Sequence, residues 1–174
     1  MKAVIFDLDV LVQKNSPTPG KGVQERLATL RGQGLPLAVV TNPTALISWT
    51  AEQEEQAPDS VTPAAKVAAN IKEMIERLGL QQVPWFLSLG DRETREVMSS
   101  VRYQALIEQI KQELQSHFPD SVLFISQVSG PAPAMLLAIA HHLHVEPREG
   151  LYVGDEQADR QAAEAIGMPF EMRP

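Results

Sequence analysis

The stretch Ala3-Val4-Ile5-Phe6-Asp7-Leu8-Asp9 joins a short apolar run, β-branched and aromatic, to two carboxylates one residue apart. A buried strand over residues 3–6 delivers both acids to one rim of a sheet, where they can hold a divalent cation and one can attack an electrophile. A related arrangement occurs far down the chain, where Leu151-Tyr152-Val153 runs into Gly154-Asp155, with Asp159 four residues on. Two acid clusters, each after a short apolar run, predict a single metal site assembled from distant segments.

Between these runs the chain alternates. A helix from about Gly22 to Arg31 has Val23, Leu27 and Leu30 on one inner face, and Leu35 to Val40 form a second continuous apolar strand. Thr41-Asn42-Pro43-Thr44 is a polar strand exit, residues 43–61 are an exposed excursion near the site with Trp49 near its opening, and 48–62 are acidic and Gln-rich. Thr62 can cap the next helix and Pro63 suits its first turn; it runs to Leu78 with Val67, Ile71, Met74, Ile75 and Leu78 as its apolar stripe. Residues 83–89 form a third strand, in which Pro84 demands an early or an edge position. A long amphipathic helix over 98–117 carries Val101, Leu106, Ile110 and Leu114 inward, and a fourth strand covers 121–126. A helix over about Ala134–Leu143, a fifth strand over 151–153, a helix over about Asp159–Ile166 and a last short element over 168–172 complete the chain.

This β-α alternation predicts an α/β fold, a three-layer αβα sandwich on a mostly parallel Rossmann-like sheet, as a single domain over 1–174 with no large cap domain. At 174 residues the chain can bury a real core, and 44 % apolar with 21 % charged residues is ordinary globular composition. No apolar run is long enough for a bilayer span, and acids come too early for a cleavable signal. The absence of cysteine excludes disulfides and thiolate zinc sites and fits a cytoplasmic location. A formal charge of -7 argues against broad electrostatic attraction to nucleic acid, leaving at most a phosphorylated nucleic-acid end. An anionic substrate then requires a metal ion, backbone N–H groups or a placed cation.

Phe6-Asp7-Leu8-Asp9-Val10-Leu11-Val12, Leu37-Ala38-Val39-Val40-Thr41-Asn42 and Tyr152-Val153-Gly154-Asp155-Glu156-Gln157-Ala158-Asp159, in that order and spacing, resemble three motifs of the haloacid-dehalogenase (HAD) superfamily of phosphohydrolases. The resemblance implies that Asp7 attacks phosphorus, that Asp9 protonates the leaving oxygen and then activates water, and that Thr41, with Asn42 beside it, binds phosphate. It further implies that Asp155, Asp7 and the backbone carbonyl of Asp9 hold Mg²⁺, while Asp159 ligates the ion or orients the ligands from behind. On the residues alone, Thr41 can equally be a strand-end hydroxyl, Asn42 a turn stabiliser and Asp159 a helix cap. His141, His142 and His144 cluster after a helix on the side away from the predicted rim, where cationic side chains suit a helix C-terminus.

A fourth segment, Gly130-Pro131-Ala132-Pro133-Ala134-Met135, is similar to the Lys-Pro-x-Pro-(Gly)-Met segment of the small, nearly cap-less subfamily III members, such as histidinol-phosphate, heptose-bisphosphate and polynucleotide 3'-phosphatases. Gly130 stands where their lysine does, and no Lys or Arg occurs between Gln112 and Pro147. A replacement cation must come from elsewhere, with Lys14, Lys66, Arg92 and Arg95 as candidates. The sequence therefore predicts a Mg²⁺-dependent hydrolase of phosphate monoesters acting on a small phosphorylated molecule through an aspartyl-phosphate. Two alternatives stand beside it: a weak or inactive relative that binds metal or a phosphorylated ligand, as Gly130 suggests, and a protein-interaction module using the acidic 50–60 stretch. Nothing in the sequence specifies the substrate or the oligomeric state.

Overall fold

A computed structural model describes residues 1–13, 18–41, 63–88, 101–125 and 133–173. Six strands form one sheet: β1 (Ala3–Asp7), β2 (Leu37–Thr41), β3 (Trp85–Ser88), β4 (Val122–Ile125), β5 (Gly150–Gly154) and β6 (Phe170–Met172). Their spatial order is β4-β3-β2-β1-β5-β6 and every neighbouring pair is parallel. The helices are α1 (Val23–Gly32), α2 (Pro63–Leu78), α3 (Val101–His117), α4 (Pro133–His142) and α5 (Gln157–Ala165).

The alternation of side chains along the strands divides the apolar residues between the two faces of the sheet. Phe6, Val39, Trp85 and Val153 join Val23 and Leu27 of α1, Val67, Ile71 and Ile75 of α2, and Ile110 and Leu114 of α3 in one core layer. Ile5, Ala38, Val40, Phe86 and Tyr152 face the other way, against Met135, Leu136 and Ile139 of α4 and Ala162 and Ala163 of α5. Strands covered on both faces explain why β1 and β2 read as unbroken apolar runs. The expected three-layer α/β architecture is therefore present. Among the described residues no helix is long and apolar enough to cross a membrane.

Pro84 takes the early alternative, not the edge. It precedes β3, which lies inside the sheet between β2 and β4, and its carbonyl accepts the Val39 N–H at 3.0 Å. A residue without an N–H is tolerated there because the ladder begins one residue later. The last short element is a sixth parallel strand, and Arg26 of α1 clamps its Glu171 through both carboxylate oxygens at 2.6 and 2.8 Å. Arg26, then Arg173, hold the Glu171 carboxyl down at about 2. Thr62, Asn42 and the whole of the 43–61 excursion, Trp49 included, lie outside the described residues, as does the Gly130 segment up to Ala132.

The strand order has one consequence for function. From β1 the chain steps outward through β2, β3 and β4, then returns to place β5 and β6 on the opposite side of β1. The carboxyl ends of β1, β2 and β5 thus surround the point where the winding reverses, and connections diverging to opposite faces leave a crevice there. Asp7 is the last residue of β1.

Candidate functional site: an acid cluster at the switch point

Each acid reaches the crevice for a local reason. β1 pairs with β5 so that Phe6 lies opposite Val153, which sets Asp7 level with Gly154 and brings Asp155 just past the rim. After Asp7 the chain turns at once into a single 3-10 turn, Leu8–Val10, which buries Leu8 and leaves Asp9 exposed. Asp159 lies in the first turn of α5, where an acidic side chain favours a helix start, and it is 2 % exposed. Carboxylate oxygens of Asp7, Asp155 and Asp159 all lie within 4.8 Å of one another, a group able to hold a metal ion. The Asp9 carboxylate is not part of that group. Thr41 ends β2, one position beyond the Val40 that pairs with Asp7, and is buried.

The electrostatics of the bare cluster are unfavourable. Burial, then the charges of Asp9, Asp159 and Asp155, push the Asp7 carboxyl up to about 8, against a hydrogen bond from the Leu8 backbone that favours the ionised form. Asp9 is exposed as a residue, but its carboxyl lies in partly desolvated surroundings, which with Asp155 and Asp159 raise its pKa as well. Carboxylates crowded to this degree call for a cation. An all-oxygen donor set suits a hard divalent ion with oxygen-rich coordination, such as Mg²⁺, rather than a soft one.

Asp159 is also the group that shapes the loop. Its Oδ2 accepts the backbone N–H groups of Asp155 at 3.1 Å and Glu156 at 3.0 Å, and its Oδ1 accepts the Tyr152 hydroxyl at 3.0 Å. The helix-cap role and proximity to the acid cluster thus coexist in one side chain. Gly154 makes this possible, because a Cβ there would stand 2.6 Å from Asp159 Cγ and 2.7 Å from its Cβ. The constraint is steric, with no left-handed backbone at that residue. Gly154→Ala is accordingly expected to destabilise the chain by about 1–3 kcal/mol, as overpacking at a rigid site does; urea unfolding of the metal-free protein checks it.

Tyr152 and Gly154 escaped sequence reasoning as contributors to the site. A tyrosine in an otherwise aliphatic strand was the available signal, since its buried hydroxyl needs a partner. Of the candidate cations, Lys66 is exposed in the first turn of α2, while Lys14, Arg92 and Arg95 lie outside the described residues. The three histidines at and just past the end of α4 lie away from the crevice, because α4 returns the chain from the carboxyl-end rim to the amino-end rim of the sheet; His142 packs edge-on against Phe86 at 5.3 Å.

Residues 61–172 match the family model described as haloacid dehalogenase-like hydrolase. Several solved structures are similar at low identity. One is D,D-heptose 1,7-bisphosphate phosphatase from Burkholderia thailandensis (18 % identity, 97 % of this chain and 75 % of that one, TM-score 0.42). Others are NagD from E. coli K-12 (15 %, 99 % and 87 %, TM-score 0.48) and p-nitrophenyl phosphatase from Archaeoglobus fulgidus (17 %, 98 % and 85 %, TM-score 0.49). No curated protein matches the chain.

Proposed function

The chain belongs to the haloacid dehalogenase-like hydrolases, and from that membership and its acid cluster we propose that it hydrolyses phosphate monoesters of small molecules with Mg²⁺ bound. The observation that carries the reading is the convergence of Asp7, Asp155 and Asp159 within 4.8 Å at the switch point of the sheet. A bound Mg²⁺ would be held by Asp7, Asp155 and the backbone carbonyl of Asp9, and would offset the charge repulsion between an anionic phosphate and an attacking carboxylate. An Asp7 oxygen then bonds to phosphorus as the ester P–O bond breaks, and the departing alkoxide takes the Asp9 proton. Asp9, now ionised, removes a proton from the water that cleaves the aspartyl-phosphate, which frees Asp7 and inorganic phosphate. In the metal-free site burial, then the charges of Asp155 and Asp159, raise the Asp9 carboxyl. Thr41 and Asn42, next to it in sequence, are the residues that would bind a phosphoryl oxygen. Asp159 holds the loop that carries Asp155.

A second reading rests on the sequence resemblance: if Gly130 stands where the lysine of the similar Lys-Pro-x-Pro segment does, a chain without that cation would bind metal or a phosphorylated ligand with little turnover. Single-turnover and steady-state phosphate release with Mg²⁺, across a panel of phosphate monoesters, separates the two. Metal-dependent release supports the hydrolase. Metal binding without release from any ester supports the binder.

A further inference from the structure

We propose that Tyr152 is a positioning residue of the metal site: its hydroxyl fixes the Asp159 carboxylate, which in turn fixes the backbone from which Asp155 reaches the ion. The role rests on the metal-dependent reading above. An ionised carboxylate offers about four lone-pair directions, and in Asp159 three are taken, two by the Asp155 and Glu156 N–H groups and one by the Tyr152 hydroxyl. The two N–H bonds set where residues 155 and 156 stand at the end of β5. Among the described residues only the Tyr152 bond reaches the other oxygen, Oδ1, so it restrains the carboxylate against rotation about its own axis.

The tyrosine is well built for this. Its ring is fully buried in the layer under α4 and α5, with the Phe170 ring tilted against it at 5.9 Å. β5 holds its backbone between β1 and β6. The donor therefore cannot swing away, and Gly154 leaves the space through which Asp159 meets the strand end. Groups that hold metal ligands from behind commonly govern affinity by 10–100-fold. The opposing possibility is that the bond only satisfies a buried hydroxyl, in which case it supports the fold without affecting the ion.

Tyr152→Phe keeps the ring and removes the donor. Its Mg²⁺ affinity by calorimetry, and Mn²⁺ affinity by electron paramagnetic resonance, are expected to fall about tenfold, with a metal-free melting temperature near that of the wild type. In an Asp159→Asn background the same substitution is expected to cost no further affinity, because it acts through Asp159. Affinity within twofold of wild type, an equal loss in the Asp159→Asn background, or a variant that does not fold would each overturn the role while leaving the hydrolase reading standing. A wild-type chain that binds neither ion would overturn both.

Discussion

Asp7→Asn is expected to lower phosphate release by about 10⁴-fold or more, the scale seen when a nucleophile is removed from a concerted site, and to make the metal-free protein more stable above pH 7. The two effects share one cause. With its pKa pushed up to about 8 by burial and three neighbouring acids, Asp7 ionises in the folded chain far less readily than in the unfolded one, where the ordinary value is near 4. Between those limits the folded state holds more protons, so this group's contribution to stability is complete below about pH 4 and is lost as pH rises to 8. Each pH unit costs up to about 1.4 kcal/mol. Asparagine has no such proton, so this group's share of the slope disappears with the carboxylate. Mg²⁺ binds the ionised form, and its stabilising effect in the wild type is expected to grow from pH 6 to 8, with proton release on binding. Thermal melts of both chains across that range, with and without Mg²⁺, read every part. Phosphate release that survives in Asp7→Asn would place the nucleophile elsewhere.

The stability cost explains why the site was legible in sequence. Four acids interrupt or follow apolar strands, and a fold has no packing reason to collect them; the spacing of the acids against their strands pointed to one rim, where Asp7, Asp155 and Asp159 meet. The layers were equally plain, because β1 and β2 lack alternation and so must be covered on both faces. Other features depend on tertiary placement. Pro84 was compatible with an edge until Ser121 supplied the partner for Trp85, whose N–H donates to the Ser121 carbonyl at 2.6 Å. The sixth strand is three residues long, and the Arg26 clamp on Glu171 spans 145 positions, beyond the reach of any local pattern. Asp159 admitted two readings from sequence, as helix cap or as part of the metal site. A single carboxylate bonded to two N–H groups and a tyrosine, within 4.8 Å of two other acids, supports the loop and adjoins the site at once.

Gly130→Lys is expected to raise kcat/KM for a phosphate monoester by about 10²–10³-fold, the value of one preorganised charge facing a transferring phosphoryl group. Among the described residues of the cluster every ionisable side chain is acidic or, in Tyr152, neutral, so a divalent ion there faces the acids and the substrate together. α4 begins at the same rim as Asp7, since it carries the chain back from β4 to the start of β5, and residue 130 precedes its first residue by three. A lysine there would turn Gly130-Pro131-Ala132-Pro133 into the Lys-Pro-x-Pro pattern it resembles and would add positive charge without displacing an acid. Gly130→Gln, comparable in length and uncharged, is expected to give no gain, which separates charge from bulk. A gain in Gly130→Lys over a nearly silent wild type would mean that the rest of the machinery is intact and that one charge was lost from it. An active wild type that gains nothing from the lysine would mean that a cation already serves the phosphate. Lys66→Ala would then be the next variant, because Lys66 stands in the first turn of α2, the helix that starts at this rim after β2.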